Sequence, residues 1–472
     1  MVFSSIEFIF AFLPLTLLLN LFAFRKDIKL SNIVLLIASL IFYFMGEKWY
    51  VLLMVFSGFV DFFFGYLIGL EWEKNQQTGP SRKQKIYLGA ALTLNLGFLF
   101  YFKYSNFFLD NLNLILKSLN VSGFNELKVI LPLGISFYTF QSMSYTIDVY
   151  RREALYTKSF TDFLAYVTLF PQLVAGPIVR YVDVAKELVQ RSVSNDDITY
   201  GIKRFIIGFG KKVIISNLVG EIADSIIDYQ QAPFTLDQSI VSISSYTLQI
   251  YFDFSGYSDM AIGLGRILGF YFHENFNYPY SSGSIQEFWR RWHISLSTWF
   301  RDYLYIPLGG NKGGKFQTLR NLFIVFLLCG IWHGASYNFV IWGLFHGVFL
   351  ALERLVNLKK VLPLAFLRKI YVLIVVMTGW VFFRAPDLSS AMNIFKGFMH
   401  LKISDQNLFL DRPFLIGIIL GCLFAFETPA KYVQKIVDKN TFLSGMVYLL
   451  IFFISILLLL GQSYNPFIYF RF

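Results

Sequence analysis

Residues 1 to 24 of the chain read "MVFSSIEFIFAFLPLTLLLNLFAF". Apolar side chains dominate this segment, and its length matches the roughly 20 residues that a helix needs to cross a bilayer. It shows neither the basic leader nor the small-residue cleavage site of a secretory signal peptide. We therefore predict that it remains in the protein as the first membrane-spanning helix.

Similar apolar runs recur along the whole 472-residue chain, which is 56% hydrophobic and only 15% charged. Soluble domains are about 25% charged. At roughly 20 residues for each span, the apolar runs of this chain predict about eleven transmembrane helices. The basic segments between them are too numerous to alternate cleanly with the spans, which favours additional re-entrant or interfacial helices. The prediction is an all-α polytopic membrane protein with one integral-membrane domain, residues 1–472, whose core is residues 130–350.

The net charge of +11 comes from Lys and Arg residues in short loops. Such loops are typical of the cytoplasmic side of a membrane protein. We therefore expect membrane lipids as partners of these residues. No nucleic-acid-binding motif is present, so nucleic acid is not expected as a partner. Both cysteines lie in apolar segments, so a disulfide framework is not predicted. The five histidines show no metal-binding spacing, so we predict no metal site.

The segment "CGIWHGASYN", residues 329–338, places His333 near the end of an apolar helix. Small neighbours such as Gly330 and Gly334 can either leave room for a ligand beside the imidazole or allow two helices to pack closely. Cys329 precedes the histidine by four residues, which is compatible with a nucleophilic pair or with a small apolar side chain. Asn338 ends the segment and is a candidate donor-binding residue. His346, further along, is expected to pack or hydrogen-bond between helices.

A second segment, "FWRRWHISLSTWFRDYLYIPLGGN" at residues 288–311, concentrates charge within apolar sequence. Arg290, His293, Ser297 and Arg301 are spaced three, four and four apart, which places them on one face of a continuous helix. With Arg291, they indicate either an interfacial helix that binds lipid headgroups or guanidinium groups that hold a phosphate-bearing substrate.

A third segment, "SYTLQIYFDFSGYSDMAIGLGRILGF" at residues 245–270, places Gln249 and Asp253 on one helix face. A buried carboxylate needs a partner or a changed protonation state. Asp259 follows six residues later. We expect these carboxylates to pair with an arginine such as Arg290 or Arg384, and to support a site without performing its chemistry.

These segments, taken together, resemble the membrane-bound O-acyltransferase family, whose hallmark is a pair of histidines placed like His293 and His333. Five further segments narrow the resemblance to the bacterial polysaccharide O-acetylation branch. They are the N-terminal segment, "LPLGISFYTFQSMSYTIDVYR" (131–151), "FPQLVAGPIVRY" (170–181), "WVFFRAPDLSSAM" (380–392) and "FIYFRF" (467–472). The resemblance covers essentially the whole chain.

The resemblance implies helices around a central tunnel, with His333 as the essential histidine and His293 as its companion. It also implies an O-acetyltransferase of the bacterial cytoplasmic membrane, with no bound cofactor and with acetyl-CoA as the acyl donor. The acetyl group would pass to an extracytoplasmic serine hydrolase-like protein that modifies an exopolysaccharide or cell-wall polymer. The expected donor-binding residues are Arg290, Arg291, Ser297, Arg301, Asn338, Asp253 and Gln249, with Lys312 or Lys315 near the coenzyme phosphates.

Three other functions are compatible with these residues. One is D-alanyl transfer to teichoic acid from a carrier protein, a branch that shares the two histidines. A second is a transporter of the acetyl donor that performs no chemistry, because polar residues near the midplane also suit transport. A third is a structural subunit of a secretion complex.

Overall fold

The computed structural model describes residues 2–74, 79–125, 128–228, 233–400, 402–404, 408, 412–461 and 464–468. Residues 469–472 of the closing motif lie outside this part of the chain. The α-helices, in chain order, are α1 Leu13–Lys26, α2 Ile28–Glu47, α3 Tyr50–Lys74, α4 Arg82–Ser118, α5 Ile135–Arg151, α6 Phe160–Thr168, α7 Tyr181–Val189, α8 Asn195–Gly210, α9 Asn217–Ile227, α10 Leu236–Ile267, α11 Ile285–Arg291, α12 Ile294–Phe300, α13 Gly314–His333, α14 Tyr337–Leu355, α15 Leu358–Val361, α16 Ala365–Arg384, α17 Leu388–Met399, α18 Arg412–Ala425, α19 Glu427–Asp438 and α20 Thr441–Gly461.

The protein is a multi-pass, all-helical membrane protein, as the sequence predicts. Within the described ranges, eight helices are long and apolar enough to cross a membrane, or nine when α18 and α19, bent by 86°, count as one span. This number of spanning helices is lower than the predicted number of about eleven, and the difference has a physical cause. α5 has 17 residues, fewer than a full span needs. α10 carries charged side chains such as Asp253 and Asp259 among its apolar residues, which lowers its hydropathy.

The chain forms two compact units. The first contains residues 1–202 and 261–273, and the second contains residues 203–260 and 274–472. The predicted 130–350 core is therefore divided between them. Both histidines singled out from the sequence belong to the second unit.

In the first unit, a buried carboxylate joins three long helices. Asp61 of α3 accepts hydrogen bonds from Asn95 Nδ2 of α4 at 2.9 Å and from Thr146 Oγ1 of α5 at 2.7 Å. Polar groups inside a membrane protein need internal partners because lipid offers none. This network satisfies the carboxylate and links the helices at one point.

In the second unit, two glycines allow α13 and α14 to cross at very short distance. A Cβ atom on Gly330 would lie 2.3 Å from the carbonyl oxygen of Phe339, and one on Gly343 would lie 2.3 Å from that of Phe326. Glycine is the residue that permits such close backbone approach between membrane helices. The antiparallel hairpin of α13 and α14 depends on this crossing.

Two buried ion pairs also lie in the second unit. Lys212 Nζ contacts Asp253 Oδ1 at 2.7 Å, and Arg384 Nη2 contacts Asp224 Oδ1 at 2.6 Å and Asp228 Oδ1 at 2.8 Å. The prediction of an arginine partner holds for Asp259, which contacts Arg204 at 2.6 Å, and was wrong for Asp253. Its partner comes from a π-helical turn, Lys211–Ser216, between α8 and α9, and sequence spacing alone did not indicate that this turn packs on α10.

The helix crossing makes a testable prediction. Replacing Gly330 with alanine forces apart two backbones that already touch, so we expect it to lower the stability of the folded protein by about 1–3 kcal/mol. The measurement is thermal unfolding of the detergent-purified chain. Gly97→Ala is the matched control, because a Cβ at Gly97 would meet nothing within 4 Å. Equal melting temperatures for the two variants would contradict the role of the crossing.

Candidate active site

His333 is the last residue of α13, and its side chain is buried among aromatic rings. The imidazole meets the rings of Trp342 and Phe383 edge-on, with centroids 4.9 and 5.0 Å away. The ring of its neighbour Trp332 is also 4.9 Å away. An imidazole can accept a proton from a hydroxyl group, and the surrounding rings exclude water from it.

The small residues beside His333 serve helix packing. Gly330 faces α14 at the crossing described above, and a Cβ on Gly334 would lie 2.3 Å from the ring of Phe339. Of the two readings of these glycines, the structure therefore supports close contact between helices. The space that they leave is filled by α14.

His293 lies at a break between two short helices, which corrects the prediction of one continuous helix. α11 ends at Arg291, α12 begins at Ile294, and His293 has a φ of 43°, in the left-handed region. Asn275 makes this break possible: its carbonyl oxygen accepts from Ile294 N at 2.9 Å, and its Oδ1 accepts from Ser295 N at 3.2 Å. A non-glycine residue held in this conformation costs about 1–3 kcal/mol, which these hydrogen bonds offset.

The same asparagine determines the tautomer of His293. Nδ1 of the imidazole lies 3.2 Å from Asn275 Oδ1. Because that oxygen also accepts from a backbone N–H, it can only be an acceptor, so Nδ1 carries the proton and Nε2 is the basic nitrogen. Burial lowers the pKa of His293 to about 3, so the ring is neutral at physiological pH.

One indole connects the two histidines. The Trp332 ring centroid is 6.4 Å from that of His293 and 4.9 Å from that of His333. The two imidazoles therefore pack on the same indole ring, and a change in the position of His293 would be transmitted to His333 through Trp332.

A cavity of about 190 Å³ lies in the same unit as the two histidines. Residues of α11, α12, α13, α14 and the π-helical turn Arg301–Tyr305 line it. Its lining residues are Gln286, Trp289, Arg290, Leu296, Ser297, Phe300, Arg301, Tyr305, Leu322, Val325, Phe326, Cys329, Leu350, Glu353 and Arg354. Three arginines border a largely apolar interior, which suits a ligand with an anionic end and a less polar remainder.

Several predicted donor-binding residues meet in this cavity and others do not. Arg290, Ser297 and Arg301 line it. Arg291 points elsewhere and forms ion pairs of 2.9 Å with Glu287 and Glu427.

Five further residues with predicted or suggested roles lie apart from the lining. Asn338 donates to the carbonyl of Ala385 at 2.8 Å, and Gln249 donates to the Tyr464 hydroxyl at 3.2 Å. Asp253 is paired with Lys212. Lys312 and Lys315 are exposed.

Four polar residues of the lining belong to none of the patterns that distinguish the other site residues in the sequence. Gln286 precedes the charged segment, Tyr305 ends its π-helical turn, and Glu353 and Arg354 end α14. Glu353 accepts from the backbone of Ile285 and Gln286 at 2.6 and 3.0 Å, so it anchors the start of α11. Arg354 resembles an ordinary loop charge at the end of a span, and only its distance from Leu350 along the helix could have indicated that it faces inward.

Cys329 also lines the cavity, one helical turn before His333. Four residues of α-helix correspond to about 6 Å of rise. The cavity therefore comes within about one helical turn of the buried imidazole, and Trp289, which also lines it, has its ring 5.6 Å from that of Trp342.

Comparison with known proteins identifies the family of the chain. Residues 37–389 match the model of the membrane-bound O-acyltransferase family. The chain is 41% identical to a "probable alginate O-acetylase" of Pseudomonas putida over all of both chains. It is 37% identical to a peptidoglycan O-acetyltransferase of Helicobacter pylori, over 85% of this chain and 80% of that protein.

A weaker similarity extends to a teichoic acid D-alanyltransferase of Bacillus subtilis, 32% identical over 46% of this chain and 57% of that protein. The family model covers most of the chain, and the O-acetylases match it over nearly their full lengths. The chain is thus an acyltransferase and belongs to the membrane-bound O-acyltransferase family.

Proposed function

We propose that the protein takes acetyl from acetyl-CoA at the cytoplasmic face and passes it across the membrane for O-acetylation of an exopolysaccharide or cell-wall polymer. The observation that carries the proposal is the arginine-bordered cavity whose inner end lies one helical turn from His333. The relatives named for alginate and peptidoglycan O-acetylation support the acetyl group and the class of polymer.

The distribution of charge supports a cytoplasmic entrance to the cavity. The helices α13, α14 and α16 have basic residues at the same end of their antiparallel array, namely Lys315, Arg320, Arg354, Arg368 and Lys369. Short basic segments mark the cytoplasmic side of membrane proteins. His333 ends α13 at the opposite end of that helix, about 30 Å along its axis from Gly314.

The charged border suits the phosphates of a coenzyme thioester. Arg290, Arg301 and Arg354 present planar guanidinium groups, which bind phosphate oxygens in pairs. Arg301 also contacts Asp302 at 2.6 Å. The apolar interior would receive the arm that carries the acetyl group.

The transfer itself requires positioning and one base. An acceptor hydroxyl attacks the thioester carbonyl carbon while His333 removes the hydroxyl proton. The new C–O bond forms, the C–S bond breaks, and the leaving thiolate receives the proton from His333. His293 would act as a positioning residue, because its ring and that of His333 both pack on Trp332.

The immediate acceptor in this proposal is an extracytoplasmic serine hydrolase-like protein, which then acetylates the polymer. The site would lie in the bacterial cytoplasmic membrane, so that acetyl-CoA reaches one side and the partner the other.

D-alanyl transfer from a carrier protein is the second candidate, and the partial match to the teichoic acid enzyme favours it. The full-length match to O-acetylases favours acetyl transfer. A transporter or a purely structural subunit would release no thiol from the donor.

Replacing His333 with alanine tests the base. We expect polymer acetylation and CoA release from acetyl-CoA to fall at least about a hundredfold, the usual contribution of a general base. Cys329→Ser is the matched control one turn away, and it should keep activity because the thiol has no covalent role here. Membrane protein levels are measured by immunoblot. Acetylation that persists in the alanine variant would exclude His333 as the base, and loss of activity in the serine variant would favour a cysteine nucleophile.

Two adjacent arginines test the donor site. Arg290 lines the cavity and Arg291 is held by two glutamates. We expect Arg290→Gln to raise the KM for acetyl-CoA about fivefold through loss of a charged hydrogen bond. Arg291→Gln should leave KM unchanged and lower the melting temperature. An unchanged KM in Arg290→Gln together with a raised KM in Arg291→Gln would contradict the placement of the phosphate site in the cavity.

A further inference from the structure

One short helix of the second unit runs in a different direction from its neighbours. Helix α19 follows the apolar helix α18 after a bend of 86°. The next helix, α20, is long and apolar enough to cross a membrane. A helix that turns this sharply away from an apolar helix and leads into a spanning one runs roughly along the membrane surface.

The side chains of α19 divide cleanly around its axis. At about 100° of rotation for each residue, its apolar and basic residues fall on different sides of the helix. The apolar side contains Tyr432, Val433, Ile436 and Val437, and the basic side contains Lys431, Lys435 and Lys439. An apolar stripe flanked by lysines is typical of a helix that lies in the interface of a bilayer.

The protein covers only part of the apolar side. Ala430 is buried against the rest of the unit, whereas Tyr432 is 68% and Ile436 is 49% exposed. These two residues are four apart, so they form one exposed stripe beside the lysines. Apolar surface is stabilised by removal from water, and a bilayer would cover this stripe where headgroups meet acyl chains.

The lysines of α19 are exposed, and two of them have no acidic partner. Lys431 Nζ contacts Glu427 Oε1 at 2.7 Å. Within the described ranges, neither Lys435 nor Lys439 forms an ion pair. A lysine can lay its aliphatic stem along an apolar surface and extend its ammonium group to a phosphate at the level of the headgroups.

The start of α19 is fixed to the helix that carries part of the cavity lining. Glu427 Oε2 accepts from Arg291 Nη1 at 2.9 Å, and Glu427 N donates to Ser281 Oγ at 2.8 Å. Arg291 is the last residue of α11, and the preceding Arg290 lines the cavity. The lysines of α19 are therefore at the same end of the unit as the arginines of the cavity.

An acidic protein and an anionic phospholipid would both complement a basic, apolar helix. The neighbouring sequence favours the lipid. Only two residues separate α19 from α20, whose first turns expose Phe442 (77%) and Met446 (55%). A bilayer covers the apolar surface of a spanning helix and of an interfacial helix beside it, whereas a soluble partner would cover α19 alone.

We propose that α19 is a binding surface for anionic phospholipid. Tyr432 and Ile436 enter the boundary between headgroups and acyl chains, and Lys431, Lys435 and Lys439 bind the lipid phosphates. This inference is independent of the proposed acyl transfer, because the described lining of the cavity contains no residue of α19.

The test measures amide hydrogen exchange of α19 in the full chain, reconstituted in lipid nanodiscs. One set of nanodiscs contains only zwitterionic phosphatidylcholine, and another contains phosphatidylcholine mixed with anionic phosphatidylglycerol. A third sample adds inorganic phosphate to the phosphatidylcholine nanodiscs, which separates a lipid headgroup from a free anion. Thermal unfolding reports whether each variant is folded.

The main variant replaces Lys431, Lys435 and Lys439 with glutamine. The matched control replaces three exposed lysines of the first unit with glutamine, which changes the net charge equally; they are Lys85, Lys117 and Lys128. A double variant, Lys435→Gln with Lys439→Gln, keeps the contact between Lys431 and Glu427 and so tests the surface without disturbing the start of the helix.

We expect phosphatidylglycerol to slow the amide exchange of α19 at least about fivefold, because each lysine near an anionic surface strengthens binding by about that factor. The triple α19 variant should lose this effect, the double variant should lose most of it, and the control should keep it. Inorganic phosphate should have no effect. Ile436→Ser should speed exchange in both kinds of nanodisc, because the apolar stripe is covered by either lipid.

Equal exchange in the two kinds of nanodisc would overturn the inference, as would a phosphatidylglycerol effect that persists in both α19 lysine variants. Slowing by inorganic phosphate to the same extent would assign the lysines to a free anion. An effect that the control loses as fully as the α19 variants would reflect net charge and contradict a site on α19.

Discussion

The close crossing of α13 and α14 is the constraint on which the site depends. Gly330 and Gly343 let the two backbones approach to a distance that no side chain would permit. This crossing aligns the inward faces of both helices, so that Cys329 and Leu350 line the cavity while Trp342 packs on His333. The position of the imidazole relative to the cavity is thus a consequence of backbone packing, with no direct bond between the two regions.

The buried charged side chains of the second unit form specific ion pairs. Lys212 with Asp253, and Arg384 with Asp224 and Asp228, are paired at 2.6 to 2.8 Å. Removing one member of such a pair leaves an unpaired buried charge, which costs about 3–5 kcal/mol. Arg290 differs from these residues because it is exposed and lines the cavity, and this distinction favours it for ligand binding.

Much of the fold could be predicted from the sequence because apolar run length is a direct physical requirement of a bilayer. The spans near the N-terminus, the hairpin of α13 and α14, and the prominence of His333 all follow from this pattern and from the family resemblance. The helix break at His293 could not be predicted, because it depends on hydrogen bonds from Asn275, which lies 18 residues earlier. The exclusion of Arg291 from the donor site could not be predicted either, because its partner Glu427 is 136 residues away in the sequence. His346 was expected to pack or hydrogen-bond between helices; the packing is present, and its nitrogens have no partner among the described residues.

The central claim is that one continuous path joins the arginine-bordered cavity to His333. A structure of the full chain bound to a non-hydrolysable acetyl-CoA analogue, with a ketone in place of the thioester, tests it directly. The account predicts phosphates at Arg290, Arg301 and Arg354, and an acyl carbonyl close enough to His333 for a hydroxyl to bridge them, with reacting atoms about 3–3.5 Å apart. A coenzyme bound away from these arginines, or an acyl group separated from His333 by the closed indole rings, would contradict it.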